Sequence, residues 1–600
     1  MTKRWPLLLA LLLYAALFAL QLRAVWQATG GQQLFTLDDP YIHAAIAKNL
    51  VRHGVYGVTR HAFAFSASSI LWPFLLAGVY LLTGVHAATL LILNVVVAIA
   101  TLFAADKAFR HWAGGREGDT GNALQLALLV TSGSLLGLTF IGMEHTLQVL
   151  TCLMALHYGA RVYDGEEDRK TAGWMCAWVA LAAAARYEGL FLALAAGIMF
   201  AAARRWKWAL LIGAVSAAPP ALFGIYEKLH GGWLLPIPLV LKPADPSLRS
   251  LFRFAGPEGI ASSYAFDYGI APLWLLAAVL LLLPHPWLPL RQGHRFLLAV
   301  FVGTTVLHLD LAQMGWLFRY EAYLVAMGIF AILAALTAAW APEGGAGVRS
   351  RYAGWLGGTA IGFGYLLAND VPARLTVAIA IAGAAVATIW LLARRMRVTK
   401  AGGPRWRLTG YEAMTILGIW VVGSLALRAQ TTFQTIPAAA TAVYEQQYQT
   451  ARFLERYYPE GRIAANDIGA INYFNDLDCL DLYGLGSEEV TALKHAKALT
   501  VARIAELVRQ HRVQMVVGYR YWLAGRELPA NWVPVATWTI RKRHDEITIG
   551  STTVTFYGVD AASAATLRRQ VEEFAPQLPG GVKVALLPPP PAAVGQGTAR

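Results

Sequence analysis

The sequence predicts an α-helical polytopic membrane protein with a C-terminal α/β domain outside the bilayer. Three observations lead there. Of the 600 residues, 57% are hydrophobic and 14% charged, against about 25% charged in ordinary soluble domains. Apolar runs such as 322–340 and 375–392 recur over the first 430 residues, each close to the roughly 20 residues that cross a bilayer. From about Pro437 charged residues become frequent, and short apolar runs such as 513–517 alternate with helical patterns such as 501–510.

Charge and cysteine content narrow the class. The formal charge of +14 is carried by short basic clusters at 107–116, 161–170, 204–207, 291–295, 349–351 and 394–407. Clusters placed between apolar runs mark cytoplasmic loops, so the distribution argues against a nucleic-acid partner. Cys152 and Cys176 lie in apolar spans and Cys479 has no obvious partner, which leaves no disulfide framework or metal-ligand spacing. Residues 1–20 join a basic tip, Lys3 and Arg4, to an apolar stretch. With many spans following, they read as an uncleaved first helix rather than a signal peptide.

Lys3 and Arg4 place the N-terminus in the cytoplasm and the segment 24–86 outside. Successive basic clusters must then be separated by an even number of spans. The apolar stretches 122–162 and 171–203 meet that condition by breaking at Gly142-Met143-Glu144 and at Arg186-Tyr187-Glu188-Gly189, both facing outward. Two runs, 71–82 and 87–105, precede the cluster at Lys107, where parity admits one crossing. The first is short and contains Pro73, so it is expected to lie in the outer interface. The result is about thirteen spans. They form a membrane domain over 1–430, with outer loops 24–86 and 228–270. An extracytoplasmic α/β domain over 437–580 follows, then a disordered proline-rich tail over 581–600.

This topology gathers ionisable residues on the outer side. Asp38-Asp39-Pro40 opens a helical pattern with Ile42, Ile46 and Leu50 on one face, closed by His53-Gly54. Asp39 with Pro40 suits a helix N-cap. Capping uses one carboxylate and leaves Asp38 as an acid that can serve as a general base. Glu144 stands in the first outward break, where a helix N-terminus favours an acid. Arg186 and Glu188 stand in the second, where they can pair with each other. Lys242 follows the irregular stretch Trp233-Leu234-Leu235-Pro236-Ile237-Pro238 and either snorkels or meets a phosphate. His308 and Asp310 precede Gly315-Trp316-Leu317-Phe318-Arg319-Tyr320, where the Arg319 fork suits an interfacial anchor or bidentate phosphate binding. Polar groups at membrane depth usually mark a functional cavity. Acids and cations on one face suit an acceptor hydroxyl meeting a phosphate-linked donor.

The order of these landmarks resembles the GT-C superfamily of membrane glycosyltransferases, most closely the branch around the mycobacterial terminal arabinofuranosyltransferases. In the first outer loop the resemblance rests on Asp38-Asp39-Pro40-Tyr41-Ile42, Ala47-Lys48-Asn49-Leu50 and Ser68-Ser69-Ile70-Leu71-Trp72. Gly142-Met143-Glu144, Arg186-Tyr187-Glu188-Gly189, Leu235-Pro236 ahead of Lys242, and Gly315-Trp316 with Arg319-Tyr320 continue it. Asp467-Ile468-Gly469-Ala470 and Asp481-Leu482-Tyr483-Gly484-Leu485 end it in the outer domain. Two departures touch the donor site: no proline at the usual spacing follows Arg319, and no Asn-Thr follows Leu235-Pro236. The resemblance implies a GT-C fold with an interfacial helix after the first outer loop. It also implies a multi-pass protein of the bacterial inner membrane, with its active site and C-terminal domain on the periplasmic side, and arabinofuranose as the sugar to expect.

The activity then expected is inverting glycosyl transfer from a polyprenyl-phosphate sugar to a hydroxyl on a cell-envelope glycan, glycolipid or protein. No glycine-rich nucleotide loop occurs. The donor's leaving group is already an anion, so one carboxylate suffices to deprotonate the acceptor. Asp38 or Asp39 is expected in that role, with Asp38 preferred. Lys242, Arg319 and Arg186 are expected at the leaving phosphate, and Glu144, Glu188, His308 and Asp310 elsewhere in the substrate site. Paired acids can hold a divalent cation, and nothing in the sequence demands a metal or other cofactor. Two rival classes are a lipid-linked sugar flippase, which should show repeats and midplane ionisable residues, and an envelope assembly factor whose acids are helix caps.

Overall fold

The computed structural model describes residues 4–113, 117–241, 267–282, 290–339, 410–521, 527–541 and 548–588. After Trp5–Ala28 (α1) come two short helices, Asp39–His53 (α2) and Leu71–Thr83 (α3), and then Ala88–Ala113 (α4). Glu117–Thr131 (α5) and Leu135–Ile141 (α6) are one apolar run divided where Ser134 takes φ 63°. His145–Tyr163 (α7), Arg169–Ala185 (α8), Gly189–Ala202 (α9) and Trp206–Leu229 (α10) follow. Helices therefore stop at Ile141 and Ala185 and restart at His145 and Gly189, at the two breaks that the charge pattern requires. Ile237–Leu241 (α11), Ile270–Leu282 (α12), Gln292–Leu311 (α13) and Ala322–Ala339 (α14) complete this stretch.

Among the described residues, five runs are long and apolar enough to cross a membrane: Trp5–Ala28, Ala88–Ala113, Gly118–Ile141, Trp206–Leu229 and Gln292–Leu311. Leucines such as Leu8, Leu12, Leu210 and Leu222 are exposed on them, as expected where lipid replaces water. The molecule is a multi-pass membrane protein. The expected total of about thirteen spans draws partly on segments outside the described residues, among them 375–392 and the basic clusters at 349–351 and 394–407.

Helix α3 has 13 residues and spans roughly 20 Å, short of the roughly 30 Å hydrocarbon core. Trp72, Leu76 and Tyr80, spaced one turn apart, are buried, while Leu81 and Leu82 stand exposed. Helix α2 differs from the one-faced amphipathic helix that its pattern predicts. Pro40 through Asn49 are all buried, because α2 lies between the membrane helices and the C-terminal domain. Ala44, Ala45 and Ala47 give it the slim cross-section that such a position requires.

Gly410–Val443 (α15) carries the chain out of the membrane part. It continues through a π-helical turn, Tyr444–Tyr448, into Gln449–Tyr457 (α16). The compositional change at Pro437 thus falls inside a continuous helical rod, since helical period persists while the surroundings change from apolar to polar. The elements beyond are Arg462–Ala465 (β1), Gly469–Phe474 (α17), Asp478–Asp481 (β2), Glu488–His495 (α18), Val501–Gln510 (α19), Met515–Gly518 (β3), Val533–Ile540 (β4), Thr553–Gly558 (β5), Ala561–Phe574 (α20) and Val582–Leu586 (β6). The six strands form one sheet in the order β2-β1-β3-β5-β4-β6. β1 pairs parallel with β2 and β3, and the other pairings are antiparallel. Strand β6 corrects the expectation that 581–600 is disordered. Val582, Val584 and Leu586 alternate with Lys583 and Ala585, which is a strand period, and the strand pairs with β4. The remainder of that tail, from 589, lies outside the described residues.

Two charges on α2 tie the domain down. The carboxylate of Asp38 accepts the backbone N–H of Gly469 at 2.6 Å and of Ala470 at 2.8 Å, at the start of α17. The Lys48 ammonium donates to the carbonyls of Asn472 (2.8 Å), Tyr473 (3.0 Å) and Asn475 (2.7 Å) at its end, and to Asp476 (2.9 Å). A carboxyl group meets the N–H groups at one end of the helix and an ammonium the carbonyls at the other. The two residues stand roughly 15 Å apart along α2, while α17 is roughly 9 Å long. Helical side chains lean toward the N-terminus, so the lysine reaches back across that difference. The apolar core between Tyr41, Ile42, Ile46, Ala470 and Ile471 is continuous with the core of the sheet.

Charge-assisted hydrogen bonds contribute about 1.5–3 kcal/mol each. Lys48→Met should therefore lower the unfolding temperature of the purified protein and speed protease cleavage near α16. Gly469→Val should do the same more severely, because a Cβ there would sit 2.1 Å from the Asp38 carbonyl oxygen. Unchanged cleavage in both variants would contradict the clamp.

Candidate functional site

The aspartates at the head of α2 face different partners. Asp38 occupies the N-cap position but makes no side-chain cap to its own helix. Both its oxygens are taken by α17, and it is buried. Burial, with the neighbouring Asp467 charge, holds its carboxyl well above the usual range, against the pull of the two N–H groups. Asp39, the first residue of the helix, leaves 42% of its side chain exposed and accepts from the Arg319 guanidinium at 2.5 Å. The expected division, Asp39 as cap and Asp38 as the available acid, is reversed. The carboxylate left partly exposed is Asp39.

Arg319 is presented by a distorted backbone. Gly315, Trp316, Leu317 and Phe318 have φ of 92°, 53°, 61° and 59°. Consecutive left-handed non-glycine residues cost of order 1–3 kcal/mol each and persist only where the surroundings enforce them. Two groups do so. Glu321 accepts the Gly315 N–H at 2.6 Å. Arg428, fully buried on α15, donates to the Phe318 carbonyl at 2.9 Å, lies over the Phe318 ring and pairs with buried Asp267 at 2.8 Å. Arg428 also donates to the Ser132 carbonyl and the Ser134 hydroxyl, where the α5–α6 run breaks.

Tyr320 joins two halves of a network. The Arg319 guanidinium lies 4.8 Å from its ring centre and that of Arg186 5.5 Å, and its hydroxyl accepts from Arg319 at 2.9 Å. Arg186 grips Glu188 with two nitrogens, at 2.9 and 3.1 Å, and also bonds Glu144. Ser68 donates to Glu144 at 2.7 Å, and His43 Nε2 lies 3.6 Å from the same carboxylate. The Arg186–Glu188 pairing suggested by sequence is present, and Glu144 completes it.

The structure thus brings together Asp39, Arg319, Arg186, Glu144 and Glu188, with Asp38 immediately behind. His308 is buried, bonds the Tyr323 hydroxyl at 3.2 Å and feels the charge of Glu188. Asp310, half-buried, stands at the end of the same helix. Lys242 lies outside the described residues. Among the described residues, no three His, Cys, Asp or Glu side chains group as a metal site.

Several neighbours escape the sequence reading. His43 sits one turn beyond Asp39 on α2, a spacing that could have flagged it. Arg428 is a charge within an apolar helix, a usable signal as well. The C-terminal domain contributes two acids that the sequence resemblance already includes: Asp467 bonds Tyr519 (2.6 Å) and Gln447 (3.0 Å). Burial raises its carboxyl, and the Asp39 charge adds to the effect. Asp481 accepts from the N–H groups of Tyr483 (2.7 Å) and Gly486 (2.6 Å). The loop so held sets the Tyr483 phenol within the fields of Asp39 and Tyr320.

Comparison with known proteins fits this architecture. Residues 437–557 match the family model described as Domain of unknown function (DUF8728). No curated protein matches the chain in sequence. In three dimensions the chain is similar to ArnT from Cupriavidus metallidurans. With the crystal structure bound to undecaprenyl phosphate the TM-score is 0.53 at 14% identity, covering 94% of this chain and 99% of that one. With the apo structure it is 0.51 at 13%, covering 93% and 98%. The protein is a polytopic membrane protein of the GT-C fold with a C-terminal sheet domain.

A pH effect follows from Asp481. Burial pushes its carboxyl from 3.8 to about 6, against the opposing pull of the Gly486, Tyr483 and Gly484 N–H groups and Lys494. Between pH about 4 and about 6 the folded domain holds a proton that the unfolded chain has released, so stability falls as pH rises through that window. Denaturant midpoints of the sheet domain at three pH values should fall accordingly, and Asp481→Asn should flatten the trend.

Proposed function

We propose that the protein transfers a glycosyl group from a polyprenyl-phosphate-linked sugar to an acceptor hydroxyl at the outer face of a bacterial inner membrane, with Asp39 as general base. The observation that carries this reading is the pairing of a half-exposed carboxylate with a buried arginine fork. The pair lies beside a second arginine, at the junction of membrane helices and outer domain. The likeness in fold to ArnT, whose structure was solved with undecaprenyl phosphate bound, supports a lipid-phosphate donor. Arabinofuranose is the sugar that the sequence resemblance implies, and a cell-envelope glycan, glycolipid or protein the acceptor.

In this mechanism the donor phosphate displaces Asp39 from Arg319, since guanidinium forks bind phosphate bidentately. Asp39, relieved of its cation, becomes a better proton acceptor. It takes the acceptor hydroxyl proton as the oxygen attacks the anomeric carbon. The bond from that carbon to the phosphate oxygen breaks, the electron pair leaves with the polyprenyl phosphate, and the anomeric centre inverts. Arg319 and Arg186 stabilise the charge collecting on the phosphate. Glu144 and Glu188 hold Arg186 in place. Asp38 acts on docking of the outer domain rather than on the proton.

Asp39→Asn should lower transfer by about a hundred- to ten-thousand-fold, the usual worth of a general base, with donor binding retained. Asp38→Asn should lower thermal stability first. Radiolabelled polyprenyl-phosphate sugar with membrane acceptors provides the assay, and full transfer by Asp39→Asn would refute the base assignment. Arg319→Lys keeps the charge but loses the fork, and should raise the KM for donor.

A further inference from the structure

Beside the contact between α2 and the C-terminal domain runs a hydrogen-bond chain that is one proton short when Asp467 is ionised. Tyr519, buried just after β3, keeps its phenol proton, because burial together with Asp467 and Asp38 holds the group well above its ordinary value. A hydroxyl has one proton to give, and here two acceptors face it: Asp467 Oδ2 at 2.6 Å and Gln446 Oε1 at 2.8 Å. The Gln446 amide is held in that orientation, since its Nε2 donates to the Ser551 carbonyl at 2.9 Å. Gln447 Nε2 reaches Asp467 at 3.0 Å and the Tyr519 hydroxyl at 3.1 Å, but supplies nothing between that hydroxyl and Gln446. If Tyr519 donates to Asp467, two oxygens stand 2.8 Å apart with no proton between them. A proton on Asp467 removes the shortage. The acid then donates to the Tyr519 oxygen, and Tyr519 donates to Gln446.

The same acid faces α2. It stands two residues before Gly469, whose N–H meets the Asp38 carboxyl at 2.6 Å. Asp38 feels the charge of Asp467, and Asp467 that of Asp39; burial is the larger cause that holds both Asp38 and Asp467 above the usual carboxylate range. The other ionisable groups around the pair offer no relief. From α2 come Asp39, already paired with Arg319, and Tyr41. Tyr521 stacks on Tyr519 with ring centres 6.2 Å apart. The π-helical turn presents the amides of Gln446 and Gln447, while its Glu445 turns toward Gly581. Lys48 is engaged at the far end of α17. Ionising Asp467 therefore sets a negative charge on the domain side of the contact, opposite two aspartates on the α2 side.

We propose that Asp467 is a pH switch for docking of the C-terminal domain: protonated, it completes the Tyr519–Gln446 chain and the domain sits on α2; ionised, it repels Asp38 and Asp39 and the domain is released. The switch stands whether or not the protein transfers a sugar. Once released, the acid is wet and away from the two aspartates, so it ionises at a lower pH than when docked. Docking accordingly weakens as pH rises between those two values, about tenfold per pH unit, and levels off above the higher one.

Hydrogen exchange of the full chain in lipid nanodiscs tests this, read by mass spectrometry on peptides covering Gly469 and Ala470 from pH about 4 to about 9. Asp467→Asn is the reference, because its amide donates to the Tyr519 hydroxyl as the protonated acid does and cannot ionise. The ratio to it cancels intrinsic exchange and the effect of Asp481, which both proteins share. Wild-type protection relative to this variant should fall with rising pH and then level off. Tyr519→Phe removes the acceptor of the Asp467 proton, so the fall should end at a lower pH. Were the tyrosine the donor to a carboxylate, its loss would move the end to a higher pH. Wild type against Tyr519→Phe gives that comparison even where the asparagine variant fails to fold. A flat ratio, a ratio that rises with pH, or an upward move of the endpoint in Tyr519→Phe would each overturn the switch. No transfer assay enters, so a wrong activity and a wrong switch are separate results.

Discussion

The arrangement depends on one short helix held at both ends. α17 has six residues, too few to be stable by itself, and its terminal N–H and carbonyl groups would be unsatisfied if buried alone. Asp38 supplies the acceptor at one end and Lys48 the cation at the other, both from α2. Backbone groups at both ends of α17 thus find partners on α2, and the apolar surface between the helices closes around Tyr41, Ile46 and Ile471. The C-terminal domain at the end of α15 is thereby fixed against α2.

That fixation determines what each aspartate can do. A buried carboxylate whose two oxygens each accept a backbone N–H is committed to the contact between the two parts of the chain. The next residue, rotated about 100° around the helix axis, leaves the domain contact and turns to Arg319. Adjacent acids are thus divided between two partners, the head of α17 and Arg319, by the pitch of the helix. The same docking brings Asp467, Tyr483 and Tyr519 beside the membrane-embedded residues, so the candidate site is shared between two parts of the chain.

The cationic side relies on a different support. Arg319 follows three residues in left-handed conformation, and the strain is held by Arg428 and Glu321 from below. Arg428 reaches the strained loop, Asp267 and the break between α5 and α6 at once. A buried arginine of this kind is weak evidence for stability and better understood as fixing the relative placement of three irregular segments. Irregular buried backbone is tolerated where protein satisfies its polar groups, and here a single guanidinium meets the Phe318 and Ser132 carbonyls.

The amino-acid sequence by itself determined the membrane class, the helix breaks at Glu144 and Arg186, the shortness of α3, and most of the ionisable residues that meet. These follow from local quantities: the length of apolar runs, the placement of basic clusters and the charge at helix ends. It placed the helix cap at Asp39 where Asp38 stands, read 582–586 as disordered where a strand forms, and gave no role to His43, Lys48 or Arg428. The reason is separation along the chain. Asp39 meets a residue 280 positions away and Asp38 one 431 positions away, and no local pattern records which partner each will find. Only the tertiary structure decides that, because burial between two packed bodies sets which carboxylate is enclosed and which remains open.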